Sequence, residues 1–127
     1  MVFSTLIGNA DMPLKNWSLI YPDRRRAALS PGYEFVPTIP YIKDDKMALK
    51  YARSKRVTDL TDDELSYLTA KARLPEKLVL AVAHETAERL HAAWKSESAH
   101  PPLTAAIRQT IERHVESIPL ARKRLLL

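Results

Sequence analysis

The 127-residue sequence has no cysteine. That excludes a disulfide scaffold and any thiolate zinc site, and it points to a reducing cytoplasm. It also lacks any apolar run of about 18 residues, so no helix is expected to span a membrane. The opening "MVFSTLIGNA" is apolar but has no basic region ahead of it, so it does not read as a signal peptide. It reads as the last turns of a buried helix. Aromatic residues are few, at 7%, and only Tyr51 falls within a basic cluster. A stacking platform for single-stranded nucleic acid is therefore not indicated. Both glycines, Gly8 and Gly32, fall in the first third of the chain.

What is present is ordinary globular material, 46% apolar and 28% charged, of a length that fits one domain over residues 1–127. The net charge is +5 and the sequence pI about 9.6. Basic clusters stand at Arg24-Arg25-Arg26, between Lys50 and Arg56, and at Arg122-Lys123-Arg124. An excess of this size favours acidic partners.

Composition shifts near residue 57, dividing a region 1–56 from a helical region 57–127. Five of the nine prolines lie between Pro13 and Pro40, which forbids long helices there. "NWSLIY" alternates, with Trp17, Leu19 and Tyr21 on one face and Ser18 and Ile20 on the other, as a strand does. "PDRRR" reads as a turn and "AALS" as a short returning strand, giving a hairpin. "PGYEFVPTIPYI" continues as extended chain, and "KDDKMALKYARSKR" as a charged connector with one more short strand around Met47–Leu49.

Beyond Thr58 the pattern is helical. Thr61 with Glu64 three residues later is a capping box that starts a helix at Asp62, with Leu65 and Leu68 facing a core and an end near Ala72. Pro75 suits the first turn of a second helix, which runs to about Lys95. Its expected apolar stripe is Leu78, Val79, Val82, Ala83, Leu90, Ala93 and Trp94. "SESAHPP" closes it. A third helix runs from about Thr104 to Ile118 with Ile107, Ile111, Val115 and Ile118 at helical spacing. Pro119 stops it, and the tail has no clear state. The fold class that follows is α+β: a short N-terminal β-hairpin and extended segment packed on a C-terminal bundle of three or more helices.

Three groups of residues invite a chemical reading. His84, Glu88 and His91 share a helix face and include a Glu-x-x-His spacing. A zinc-protease reading fails because Glu88 stands where a second histidine belongs, and the wheel turns all three toward water. His114 lies beside the apolar stripe of the third helix and reads as a hydrogen-bonded structural residue. The third group is "GNADMPLKNWSLIY". Phosphoryl transfer needs an acid to take the hydroxyl proton, with an amide oxygen and a second acid to hold magnesium. Asp11 and Asn16 have the Asp-x-x-x-x-Asn spacing of a kinase catalytic loop, and Glu34 follows after the hairpin.

At these residues, "IGNADMPLKNWSLIY" followed by "LSPGYEFVPTIPY" resembles the catalytic loop and metal-binding segment of the HipA-like serine/threonine protein kinases, many of them toxins of bacterial toxin–antitoxin pairs. "ARLPEKLV", "ETAERLHAAW" and "IRQTIERHVESIPL" resemble the helical C-terminal part of the same kinases. The resemblance implies a kinase C-lobe-like fold and Asp11 as catalytic base. It implies Asn16 and Glu34 as magnesium ligands, and Lys15 as support for the loop or for the phosphates of ATP. Its partners would be an antitoxin protein, DNA reached through that antitoxin, and the ATP-binding N-lobe that does not precede Asp11 here. Two positions depart from the family pattern. Pro13 stands where histidine is usual and offers no donor, and Glu34 stands where the metal-binding residue is aspartate. A chain without the glycine-rich lobe is expected to be inactive alone, with an apolar surface prone to self-association. The readings from other classes are a non-catalytic partner-binding module and a basic helical module that binds nucleic acid.

Overall fold

The computed structural model describes residues 1–43, 46–97 and 102–125, the last three without their side chains. The helix closure at 98–101, the two acids of the "KDDK" connector and the side chains of Lys123 and Arg124 in the third basic cluster lie outside the described residues.

Helix α1 (Val2–Ile7) opens the chain and ends at Gly8. The end is dictated by backbone geometry: Gly8 takes φ +74°, and a Cβ there would run into the Ile39 side chain. A left-handed residue closing a helix is the role glycine fills without steric cost. Next come a single 3-10 turn (Leu14–Asn16) and a two-stranded antiparallel hairpin of β1 (Leu19–Ile20) and β2 (Ala28–Leu29), with Leu19 opposite Leu29. Asp23 holds the hairpin turn by accepting the backbone N–H groups of Arg25 and Arg26 at 2.9 and 2.7 Å. Those two donors keep its carboxyl below the usual carboxylate range.

The hairpin forms where the alternation places it, but the alternation does not bury a face. Leu19, Ile20, Tyr21 and Leu29 are all exposed. The strand expected around Met47–Leu49 reduces to one isolated bridge between Lys46 and Arg56.

The helical region is α2 (Asp62–Ala72), α3 (Glu76–Glu97), α4 (Ala105–Ser117) and α5 (Pro119–Leu125), preceded by a 3-10 turn at Val57–Asp59. Thr61 caps α2 through its side chain, which accepts the Glu64 N–H at 3.1 Å. The reciprocal half of the box does not form. The Glu64 carboxylate turns back to the preceding loop and accepts the backbone N–H groups of Ala52, Arg53 and Ser54 at 3.2, 2.7 and 3.1 Å, and the Arg53 side chain at 2.7 Å. Burial by itself would raise the Glu64 carboxyl, but the Arg53, Ser54 and Ala52 donors outweigh it and hold the group below its ordinary value. Pro119 ends α4 as expected, and it also begins α5, because its fixed φ suits a first helical position.

The core joins both parts of the chain. Leu6, Leu60, Leu65, Ile118 and Leu120 are essentially without exposure, and they pack with Met47, Tyr51, Val57, Ala83 and Ala87. Full burial of each large side chain contributes about 1.5–3 kcal/mol. On α3 the buried face is Ala83 and Ala87 flanked by Leu80 and Leu90, while Leu78 and Val82 of the expected stripe are exposed. The face is rotated because α3 packs on α1, α2 and α5 through its small residues. That rotation corrects the reading of His84. Glu88 and His91 are exposed, but the His84 side chain is mostly covered and its Nε2 lies 3.0 Å from Asp62 on α2.

Candidate functional site

The residues singled out in the sequence lie in the irregular chain between α1 and residue 39, and a series of side-chain hydrogen bonds fixes that chain. Thr38 Oγ1 accepts the Ala10 N–H at 3.0 Å and donates to the Gly8 carbonyl at 3.1 Å. The Thr38 and Ile39 N–H groups also reach the Gly8 carbonyl. The backbone on either side of Asp11 is thereby tied to the chain beyond the hairpin. Buried Met12 is the anchor underneath, its sulfur accepting from Ser4 Oγ at 2.8 Å.

Asn16 sits on the 3-10 turn and directs Nδ2 at the Asp11 carbonyl, at 3.4 Å. That long bond engages the amide nitrogen and leaves Oδ1, a hard oxygen donor. The Lys15 side chain is exposed, and the Lys15 carbonyl accepts from the Tyr33 hydroxyl at 3.3 Å. The same hydroxyl lies 2.6 Å from Ser18 Oγ. Tyr33 therefore bonds on both sides of Asn16 in sequence.

Glu34 has φ +59°, the left-handed region that costs an ordinary residue about 1–2 kcal/mol. Its surroundings hold it there. The buried Asn9 side chain donates to the Glu34 carbonyl at 2.7 Å. Phe35 meets Phe3 of α1 edge-on, with ring centroids 5.2 Å apart. Tyr33, Glu34 and Phe35 are thus each tied to a different point of the first 18 residues. A strained residue persists when its neighbours over-determine it, and such positions cluster at functional sites.

The carboxylates of Asp11 and Glu34 are exposed and make no hydrogen bond or ion pair among the described residues. No group of three or more His, Asp or Glu side chains able to hold a metal is found among the described residues. An all-protein cage is therefore not what this region offers. Asn16 Oδ1 and the Glu34 carboxylate are each hard oxygen donors of the kind that magnesium takes alongside several waters and substrate phosphates.

The roles of Asn9 and Thr38 escaped the sequence reading. Each satisfies backbone groups in partly buried surroundings, a role that no local pattern announces. His114 is the structural residue expected: its Nε2 donates to the Thr5 carbonyl at 2.7 Å. Burial lowers its pKa from the ordinary imidazole value, and the Thr5 bond opposes that only in part.

The family profile described as HipA-like C-terminal domain matches residues 1–94. A Sinorhizobium fredii protein named "Putative kinase Y4dM" is 52% identical over 124 residues, covering 97% of this chain and 30% of that protein. A Haemophilus influenzae "Putative kinase" is 42% identical over 41 residues, 32% of this chain and 12% of that protein. Among solved structures, the HipA toxin of Shewanella oneidensis, in complex with HipB and its operator DNA, superposes with a TM-score of 0.72 over 96% of this chain and 28% of that one, at 21% identity. The α+β fold is shared, and the chain spans less than a third of the length of the relatives it matches.

Proposed function

This chain belongs to the family of HipA-like C-terminal domains, and from that premise we propose that it carries the catalytic-loop and metal-holding part of a phosphoryl-transfer site. Asp11 would accept the proton of an incoming serine or threonine hydroxyl as that oxygen attacks the γ-phosphorus of ATP and the bond to ADP breaks. Asn16 and Glu34 would hold magnesium, which when bound neutralises the phosphate charge. Lys15 would support the loop or the phosphates. The observation that carries the reading is the pair of ties from Asn9 and Tyr33, which bring residues 33–34 back against the loop of residues 9–18. Glu34 in place of aspartate lengthens the arm by a methylene, and Pro13 supplies no donor, so magnesium binding is weak and the chain by itself does not turn over.

A cysteine-free chain using ATP and magnesium fits a cytoplasmic setting. The Shewanella HipA is solved with HipB and operator DNA. A partner of antitoxin type, with DNA reached through it, is the corresponding expectation for this chain. The test is an NMR titration with magnesium and a non-hydrolysable ATP analogue. Amide shifts concentrated at Asp11, Asn16 and Glu34 are expected. Shifts absent there, with duplex DNA instead moving Arg24–Arg26 and Lys50–Arg56 in a salt-dependent way, would replace this reading with that of a nucleic-acid-binding module.

A further inference from the structure

On the side of α3 away from α2, two cavities of about 630 and 280 Å³ adjoin at Leu90 and Trp94. The larger is walled by the Phe3–Phe35 pair and exposed Val82, and the smaller by Ile7, Pro37, Ile111 and Val115. Together they form an apolar groove along α3 from Val82 to Glu97, roughly 22 Å at 1.5 Å rise per residue. Asp11, Asn16 and Glu34 do not line it.

The rim has the opposite sign to the molecule. The chain carries +5 overall, yet the groove is edged by Glu85, Glu97, Glu112 and Glu116 against Arg89 alone among Lys and Arg. Arg89 lies 3.6 Å from Glu85. In the middle stands Trp94, its indole N–H donating to Glu112 at 3.1 Å. That bond fixes the ring as a wall common to both cavities, beside carboxylates. An aromatic wall flanked by acids receives a cation well, and the apolar floor receives aliphatic side chains.

We infer that this groove is a docking site for a basic amphipathic helix of a partner protein. Its leucine-type residues would lie on Phe3, Phe35, Val82 and Leu90, and its lysines or arginines would meet Trp94 and the glutamate rim. Helix-in-groove recognition combines these two elements.

The test uses this chain and a synthetic leucine/lysine peptide of about fifteen residues with apolar residues at helical spacing. Two control peptides have glutamate for lysine, or the same composition with the spacing scrambled. The leucine/lysine peptide is expected to shift the amides of Val82, Leu90, Trp94 and Glu112, and to bind about tenfold more weakly to a Glu85→Lys/Glu97→Lys variant, both sites being exposed and near-neutral for folding. The glutamate and scrambled peptides are expected not to bind. Equal binding of any control, shifts confined to the hairpin, or sedimentation showing that a second copy already covers the groove would each overturn the inference.

Discussion

The loop-and-hairpin region between residues 8 and 42 and the helical region from residue 57 are held by different forces. In the helical region, caps set the boundaries and buried aliphatic side chains supply the stability. In the first, the strands are two residues long and exposed. Its shape comes from single polar side chains that each satisfy a particular backbone group, Asn9 on Glu34, Thr38 on Gly8 and Ala10, and Tyr33 on Lys15. Hydrophobic burial tolerates small displacements, whereas a hydrogen bond fixes an atom to within a few tenths of an ångström. A region that is to present oxygens to an ion, as proposed for Asn16 and Glu34, is better built by the second means.

The comparison is broken most severely in the helical region. Leu60→Ala should cost about 2–5 kcal/mol, read as the shift of the urea midpoint. The Glu64→Gln variant comes next, at roughly 2–3 kcal/mol, because charge-assisted bonds to three backbone N–H groups are weakened. The pH profile carries the same information. Glu64 and His114 both have folded pKa values below their unfolded ones. Each therefore adds stability that is present above the unfolded value and lost as pH falls through the folded one. Stability should decline first below about 6.5, from His114, and again below about 4.3, from Glu64. His114→Gln should flatten the upper step alone.

In the first region the effects on stability shrink while those on the site grow. Asn9→Ala should cost about 1–3 kcal/mol, from the unsatisfied Glu34 carbonyl, and should weaken magnesium binding although Asn9 is no ligand. The smallest change in stability belongs to Glu34→Asn. Asparagine accepts the left-handed conformation more readily, so the variant should be neutral or more stable by less than about 1 kcal/mol. The magnesium-induced amide shifts should disappear. Equal magnesium shifts in Glu34→Asn and the unmodified chain would remove Glu34 from the ligand set.

The same contrast explains what could be read from the residues beforehand. Thr61, Asp62, Thr104 and Pro119 mark helix boundaries through local chemistry, and the structure places the boundaries there. The hairpin was legible from "PDRRR" between alternating segments. The buried face of α3 was legible only in part: Ala83 and Leu90 stood in the expected stripe, whereas Leu80 and Ala87 did not, and alanine carries little hydrophobic signal although it allows close helix approach. Glu64 was legible as a capping residue and turned out to serve a loop ten residues earlier, a choice made by tertiary contact. At the candidate site, the Asp11–Asn16 spacing was visible. The left-handed Glu34 and the Asn9 tie were not, since nothing local distinguishes them from ordinary loop residues.

The bond from His114 to the Thr5 carbonyl joins residues 109 positions apart, and Leu6 completes a core whose other members include Ile118 and Leu120. During synthesis the first helix therefore leaves the ribosome long before its partners exist. At about 5–20 residues per second, its apolar face waits on the order of ten seconds. Over that interval the core cannot close, because Leu6 still lacks Ile118 and Leu120.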